Sequence, residues 1–312
     1  MKRRVIAYIV LLEIVTIIFI GYKINRGKTQ TLGVSINTIP KQSSEANSAS
    51  NFKYFHEPQK NTIQEDPNPY FKATYTINDD TLNERYNYAS NKDPKTFRIV
   101  TLGDSFTYGL HIDTKNNWTE QLEDLLNNRL KCKSINKFEV INLGVTGYDR
   151  AYALQRYINR GVAYSPELVI WFDVKPYPNS EEMHEIFHEY SVANHSNQLP
   201  PRFQTEIQDK LISSTPDEES RNRLITITNS FSRYFSGNLL LFALPTTSSE
   251  EKNSLKKLVE LRDKTYYFDR LPDIYSEDLA FKNDGHPNLE GSKQIASSVE
   301  EYLKVSPIIS CR

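Results

Sequence analysis

The sequence has almost no excess charge of either sign. Its 312 residues include 38 Lys and Arg against 39 Asp and Glu, and no basic block is interleaved with aromatic residues. Proteins that bind nucleic acid usually carry a basic patch or stripe that meets the phosphates. The balance of charge therefore argues against nucleic acid as a partner.

Cysteine is also scarce, and no internal repeat is visible. Cys132 and Cys311 are the two cysteines of the chain. In an oxidising compartment they can pair and tie the C-terminal tail to the main body; in a reducing one they are two inert thiols. The length allows one large domain with appendages or two small ones, and 38% hydrophobic residues are enough for a core.

A cleavage site for a secretion signal is missing at the N-terminus. Residues 5–22, VIAYIVLLEIVTIIFIGY, are apolar except for Glu13, and no small-x-small pattern occurs at 18–23. The run is just long enough to span a bilayer. We therefore expect residues 1–28 to form an uncleaved, single-pass membrane anchor. The short N-terminal tail favours a catalytic domain outside the cytoplasm, although basic residues flank the span on both sides.

The composition changes twice after this anchor. Residues 29–66 are rich in Ser, Asn, Gln, Lys and Thr, which predicts a flexible polar stalk. Residues 67–95 carry many Tyr and Asn, and we expect them to pack on the main domain as an irregular leading segment. The domain itself is predicted to cover residues 67–312, with a long polar insertion at 174–236.

From residue 97 onward, short apolar runs alternate with amphipathic helical patterns. The runs are FRIVTL (97–102), EVINL (139–143), LVIWF (168–172), LLLFAL (239–244) and the weaker TYYF (265–268). Helical patterns cover about 116–130, 149–161, 248–264 and 288–305, and Asn117 with Glu120 resembles a capping box at the start of the first. The alternation predicts an α/β fold in which a parallel sheet of about five strands is covered by helices on both faces.

Three of the predicted strands are followed by loops with polar, chemically active residues. GDSFTYG (103–109) follows the first strand, NLGVTG (142–147) ends the second, and NDGHPN (283–288) comes after the fifth. In an open parallel sheet, ligands bind outside the carboxyl ends of the strands. We therefore expect these loops to converge on one edge of the sheet.

The residue types in these loops are those of nucleophilic catalysis. Ser105 lies at a tight strand-to-helix turn, where a hydroxyl is exposed to substrate. His286 can act as its base, and Asp284 can hold the imidazole and stabilise its cation. An oxyanion needs preorganised donors, and the N–H groups of Ser105 and Gly144 with the Asn142 side-chain amide are the candidates.

The three loops resemble the sequence blocks of the SGNH (GDSL-type) hydrolase family. GDSFTYG resembles the nucleophile block, NLGVTG the oxyanion block and DGHPN the block with the acid and base, and the resemblance covers residues 97–305. It implies a flavodoxin-like three-layer α/β/α sandwich. It also implies an esterase or lipase that works through an acyl-enzyme, without a metal or an organic cofactor.

Two positions depart from the family pattern. Lys175 stands where the third block usually has an Asn that completes the oxyanion hole; its ammonium can replace that donor, or Asn179 can swing in. The acid usually lies three residues before the His, where this chain has Asn283, whereas Asp284 lies two residues before His286. We still choose Asp284 as the acid.

The insertion contains a second motif, MHEIFHEY at 183–190. Its His184 and His188 have the His-Glu-x-x-His spacing of zinc peptidases. An extended zinc motif would continue with Gly and His at positions that hold Ser191 and Asn194 here. We therefore predict a surface or lid helix that covers or flanks the acyl site, with no metal. His111 is likewise expected at the surface.

These observations predict a membrane-anchored serine hydrolase that cleaves an O-acyl or lipid ester, with a small molecule, glycan or lipid ester as substrate. Two alternatives stay open. One is an O-acyltransferase that passes the same acyl group to a cell-surface polysaccharide. The other is a binding protein on an inactive SGNH scaffold, which Lys175 in the third block suggests.

Overall fold

The computed structural model describes residues 55–66, 68, 70–148, 150–173, 227, 229–247, 249–282 and 284–311. Nearly all of them belong to one compact unit, residues 57–176 with 231–312. Within these described ranges, no helix combines the length and the apolarity that crossing a bilayer requires. The predicted anchor, most of the stalk and most of the insertion lie outside the described residues, and so do Lys175, His184 and His188.

A parallel sheet of five strands forms the centre of this unit. The strands of the unit are β1 (Thr62–Glu65), β2 (Thr74–Ile77), β3 (Thr96–Leu102), β4 (Lys137–Asn142), β5 (Leu168–Asp173), β6 (Asn238–Ala243) and β7 (Thr265–Phe268). β1 and β2 form a separate antiparallel hairpin, and the parallel sheet has the order β4-β3-β5-β6-β7. Its second strand thus lies outside its first, as in flavodoxin-like folds. The five predicted strands and their parallel arrangement are confirmed.

Helices cover both faces of this sheet. They are α1 (Ser105–Tyr108), α2 (Trp118–Arg129), α3 (Arg150–Asn159), α4 (Ser249–Leu261) and α5 (Leu289–Val305). Successive residues of a strand point to opposite faces, and on β5 Phe172 contacts Trp118 of α2 at 6.2 Å between ring centroids. Its neighbour Trp171 contacts Phe231, which also packs on Tyr157 of α3. The alternation of apolar runs and helical patterns therefore folds as predicted.

The order of the strands creates a crevice where β3 ends. β3 lies between β4 and β5, so the chain leaves the sheet in opposite directions after β3 and after β4. Such a switch point leaves a gap outside the carboxyl end of the central strand. All seven residues of β3 are buried, as a central strand requires. The residues that directly follow Leu102 therefore lie in this crevice.

The compact unit begins earlier in the chain than the composition predicts. Thr62–Glu65 pairs with β2, although these residues belong to the predicted stalk 29–66. Upstream of the hairpin, a carboxylate oxygen of Glu57 lies 2.6 Å from the buried guanidinium of Arg156, and Arg160 binds the same carboxylate. The stabilising contacts here are backbone pairing and ion pairs, which polar composition does not reveal. The part of the predicted stalk from residue 57 onward is therefore folded.

The two cysteines are bonded to each other. Cys132 follows α2 and Cys311 lies near the end of the chain, and the disulfide joins them across 179 residues of sequence. Of the two states that the sequence left open, the structure shows the paired one. The C-terminal tail is thereby fastened to the segment between α2 and β4.

Buried carboxylates complete the exposed edge of the sheet at β4. This strand has a neighbour on one side, so its outward N–H groups need other acceptors. Glu123 of α2 accepts from the Val140 N–H at 2.7 Å and from the Tyr88 hydroxyl at 2.9 Å. The carboxylate of Glu84 accepts from the Asn142 N–H. The edge is thus closed by side chains from α2 and from the leading segment.

The burial of these carboxylates predicts a pH-dependent stability. Burial, reinforced by the nearby Glu120 charge, raises the pKa of Glu123 to about 7. A raised pKa means that the folded state binds more protons than the unfolded state between pH 4.5 and 7, so stability falls as the pH rises through that window. We expect Glu123→Gln, which keeps an acceptor but cannot ionise, to remove about 2–3 kcal/mol of this fall. Urea unfolding of the wild type and the variant from pH 4.5 to 8 measures this difference. If the free energy of unfolding depended on pH in the same way in both proteins, the prediction would be contradicted.

Candidate active site

Ser105 begins α1, a single helical turn in the crevice after β3. The Asp104 side chain caps this turn by accepting from the Phe106 N–H at 2.9 Å. Gly109 ends it in a left-handed conformation, φ 83°, with its N–H bonded to the Ser105 carbonyl. One isolated turn has no helical stability in water. Its surroundings must therefore hold it.

Four side chains supply that support by binding the carbonyls of the turn. The carbonyl groups of residues 106–108 accept from Trp118 Nε1 and from the amides of Asn83, Asn117 and Asn142, at 2.9–3.1 Å. All four donors are buried. Because buried carbonyls without partners are costly, this set of bonds fixes the turn in one position. Ser105 is held in one position in this way before any ligand binds.

The predicted capping box at the start of α2 is wrong. Asn117 occupies the N-cap position but makes no capping hydrogen bond, since its amide group binds the α1 carbonyls instead. Glu120 binds the guanidinium of Arg85 from the leading segment. Asn117 therefore connects α2 to α1, and Glu120 connects α2 to the leading segment.

Two of the predicted oxyanion donors are already engaged. Asn142 donates its amide hydrogen to the Thr107 carbonyl, and its Oδ1 accepts the Gly144 N–H, both at 2.9 Å. In this arrangement the Gly144 N–H and one of the two N–H bonds of the Asn142 amide are engaged within the protein. Asn142 thereby helps to hold the Ser105 turn. Gly144 allows the turn to approach, since a Cβ there would lie 2.5 Å from the Tyr108 nitrogen.

Other backbone donors remain at the same edge of the sheet. Ser105 N–H, the third predicted donor, has no hydrogen-bond partner among the described residues. Gly147 N–H, three residues after Gly144, also has none within those ranges. Backbone N–H groups of this kind are the usual donors of an oxyanion hole. The sequence offered no signal that distinguishes the Gly147 N–H from that of Gly144.

The three predicted triad residues come together in hydrogen-bond contact. Ser105 Oγ lies 2.7 Å from His286 Nε2. His286 Nδ1 binds Oδ1 of Asp284, and the His286 backbone N–H donates to the same oxygen at 3.2 Å. The phenyl ring of Phe106 packs on the imidazole with 4.8 Å between centroids. The loop that carries Asp284 and His286 thus brings acid and base to the serine in the predicted order.

The carboxyl group of Asp284 is held ionised. Burial alone would raise its pKa, but hydrogen bonds from His111 and His286, together with their charges, hold the pKa well below its usual range. An acceptor that stays negative can fix the imidazole and stabilise its cation. Asp284 therefore fits the role predicted for it.

His111 lies inside the site, which the sequence analysis did not predict. Its Nε2 is 3.4 Å from Asp284 Oδ2, and its Nδ1 is 2.7 Å from Asp66 Oδ2. The ring stacks on Phe71 at 3.7 Å between centroids. The prediction of a surface histidine is wrong because Asp66, directly after β1, and Phe71, in the leading segment, cover it.

The same residues are near enough together to raise the question of a metal. Among the described residues, one group of possible ligands is found, His111, Asp284 and His286, with ligand atoms within 4.8 Å of one another. These atoms already bond within the site, to one another, to Ser105 and to Asp66. A cation would have to displace those bonds. The cluster is therefore explained by hydrogen bonding alone.

A pocket of about 490 Å³ adjoins the site. Its walls include His111 and Phe281, with Lys72 and Asp113 from one side and Lys293 of α5 from another. Both signs of charge are present, so the lining suits a polar group better than a long acyl chain.

Comparisons with known proteins find similarity only at the level of solved structures. No protein-family model matches the chain, and no curated protein matches its sequence. Structural matches include a protein assigned to the G-D-S-L family of lipolytic proteins from Desulfitobacterium hafniense, with 20% identity, TM-score 0.37, and 65% of this chain and 98% of that one covered. The psychrotrophic esterase EstA from Pseudoalteromonas matches at 16% identity and TM-score 0.41 over 66% and 96% of the two chains. A variant of the acetylxylan esterase Axe2 from Geobacillus stearothermophilus matches at 12% identity and TM-score 0.42 over 72% and 100%.

These matches belong to the class of proteins that the three sequence blocks resemble. Because all three TM-scores lie below 0.5, we base the function on the residues of the chain itself.

Proposed function

We propose that the protein hydrolyses a carboxylic ester through an acyl-enzyme formed on Ser105. The observation that carries this proposal is the continuous hydrogen-bonded chain from Ser105 Oγ through the His286 ring to Asp284. A serine hydroxyl is a weak nucleophile until a base at hydrogen-bond distance removes its proton. The 2.7 Å contact between Ser105 Oγ and His286 Nε2 meets that requirement.

The reaction follows from these positions. As Ser105 Oγ attacks the ester carbonyl carbon, His286 Nε2 takes its proton, and Asp284 stabilises the resulting imidazolium. His286 then gives the proton to the departing alkoxide, which leaves as an alcohol. Water repeats the sequence on the acyl-enzyme, which releases the carboxylic acid and restores the Ser105 hydroxyl.

The oxyanion of both tetrahedral intermediates needs donors. We assign the N–H groups of Ser105 and Gly147 to this role, since neither has a partner within the described ranges and both follow strand ends at the same edge of the sheet. Lys175 stays a candidate for a further donor and lies outside the described residues.

The sequence supports a location at the cell envelope. We propose that residues 5–22 anchor the chain in a membrane with the catalytic domain outside the cytoplasm, where the Cys132–Cys311 disulfide can form and persist. A domain held there would meet O-acyl groups on surface glycans and the esters of lipids. The charged side chains in the lining of the adjacent pocket favour a glycan or small polar ester.

The proposal is tested on the detergent-purified full chain. We expect turnover of p-nitrophenyl acetate, and labelling by a fluorophosphonate at one site per chain that peptide mass spectrometry places at Ser105. Absence of both would favour the binding protein on an inactive scaffold. Acyl transfer to an added glycan in preference to water would favour the acyltransferase.

A further inference from the structure

The carboxylate of Asp284 has an imidazole on each side. His286 binds its Oδ1, and His111 Nε2 lies 3.4 Å from its Oδ2. The two rings are nearly perpendicular, with 5.6 Å between centroids. A Ser-His-Asp triad needs one of these rings, so the second has no part in the mechanism described so far.

Carboxylates flank His111 on both of its nitrogens. Nδ1 lies 2.7 Å from Asp66 Oδ2, opposite the contact of Nε2 with Asp284. An ionised carboxylate only accepts hydrogen bonds, whereas a neutral imidazole carries one N–H. Donation to both neighbours therefore requires a doubly protonated ring. The charges agree, because burial would lower the pKa of His111 but hydrogen bonds to Asp284 and Asp66 raise it.

Asp66 directly follows β1, and its neighbours hold its side chain in place. Its side chain is fully buried and accepts from the Tyr75 hydroxyl at 2.5 Å and from the Asn68 N–H at 2.8 Å. Tyr75, on β2, also accepts from the His111 backbone N–H at 2.8 Å through its hydroxyl oxygen. Hydrogen bonds from the β1–β2 hairpin thus hold both the ring and the backbone of His111.

The backbone of His111 is held in an unusual conformation. Its φ is 68°, a left-handed value that few residues other than glycine adopt. Such conformations persist where the surroundings over-determine them, and they concentrate at functional sites. The ring is fixed as well, by stacking on Phe71 at 3.7 Å. Both the backbone and the ring of His111 are therefore fixed more tightly than packing alone requires.

We propose that His111, kept as an imidazolium by Asp66, is a positioning residue that orients Asp284 and so the His286 base, which makes the β1–β2 hairpin part of the catalytic apparatus. This inference rests on the proposed function. Asp284 then has both oxygens bound and one orientation available.

Other titratable groups surround this pair. Those that face His111 or line the adjoining pocket are Asp66 and Tyr75 from the hairpin segment, Asp284 and His286 from the last loop, and Lys72, Asp113, Glu290 and Lys293 at the pocket. A matched control lies outside this set. Asp93 accepts from the Lys95 N–H at 2.8 Å, as Asp66 accepts from the Asn68 N–H, and it belongs to no part of the proposed mechanism.

The test compares His111→Asn, Asp66→Asn and Asp93→Asn in the full chain, through kcat, KM and the rate of fluorophosphonate labelling. Asn tolerates the left-handed backbone at position 111. We expect kcat and the labelling rate to fall about tenfold in the first two variants with KM unchanged, because the base is then less well oriented. Asp93→Asn should match the wild type.

An unchanged kcat in a folded His111→Asn protein, or an equal loss in Asp93→Asn, would overturn the proposal. A second measurement needs no variant. Nitrogen-15 NMR of labelled histidine should show two N–H protons on the His111 ring of the wild type at neutral pH, and a neutral ring would also overturn it. Failure of the proposed function looks different, because the wild type itself would then show neither turnover nor labelling at Ser105.

Discussion

Ser105→Ala is expected to lower kcat/KM for p-nitrophenyl acetate by about 10⁴- to 10⁶-fold and to abolish fluorophosphonate labelling. The alanine leaves His286 and Asp284 in place but removes the oxygen that forms the acyl-enzyme. What remains is water attack assisted by the base and by oxyanion donors. The α1 turn should persist, since its supporting bonds go to backbone carbonyls and not to the serine hydroxyl.

The same chemical change at another serine provides the control. Ser134 donates through its hydroxyl to the Ser310 carbonyl at 3.2 Å and belongs to no part of the proposed mechanism. Ser134→Ala should retain wild-type turnover. Equal activity of Ser105→Ala and Ser134→Ala would show that turnover does not depend on the serine, and the triad would then have no catalytic role.

The fold was predictable because its signals are local. The inner strands of the parallel sheet are buried on both faces, so they read as continuous apolar runs; β5 follows LVIWF closely, and the half-buried edge strand β7 matches the weaker run TYYF. The last helix begins where the sequence predicts, and the Asn288 side chain caps the start of α5 by accepting from two backbone N–H groups. The hairpin was missed because β1 exposes alternate residues and is held by pairing and ion pairs.

The site was predictable where chain order and topology suffice. Parallel strands carry the residues that follow them to one edge, so Ser105, Asp284 and His286 meet although 181 residues separate the serine and the histidine. The orientation of individual side chains, in contrast, could not be predicted. The sequence places Asn142 at a strand end but does not tell whether its amide turns toward substrate or toward the Thr107 carbonyl.

The second histidine had no signal in the sequence. His111 reaches Asp66 across 45 residues, and neither residue belongs to an apolar period or a spaced motif. Their contact depends on the packing of the leading segment against the loop after α1. Polar contacts of this kind appear only when the tertiary structure is known.

Asp284→Asn is expected to lower kcat/KM by about 10⁴-fold while leaving the fold intact. The amide nearly preserves the shape of the side chain but cannot stabilise the imidazolium, and it favours the wrong tautomer of His286. Steady-state kinetics from pH 5 to 9 measures the loss. Asp273→Asn, which alters a loop aspartate that accepts from the Tyr275 N–H at 3.3 Å, should have wild-type kinetics. Comparable losses in both variants would mean that general damage to the loop, and not the triad, is being measured.

This variant also decides how His111 acts. If His111 works through the carboxylate, His111→Asn should lower kcat about tenfold in the wild type and almost not at all in the Asp284→Asn background. The cycle of four proteins isolates that coupling, because residues in one hydrogen-bonded network are not additive. Additive losses would mean that His111 reaches the reaction by another route, such as contact with substrate in the adjoining pocket, which it also lines. If the effect of His111→Asn disappears in the Asp284→Asn background, His111 acts through Asp284. The catalytic base His286 then depends on a carboxylate that the His111 imidazolium orients.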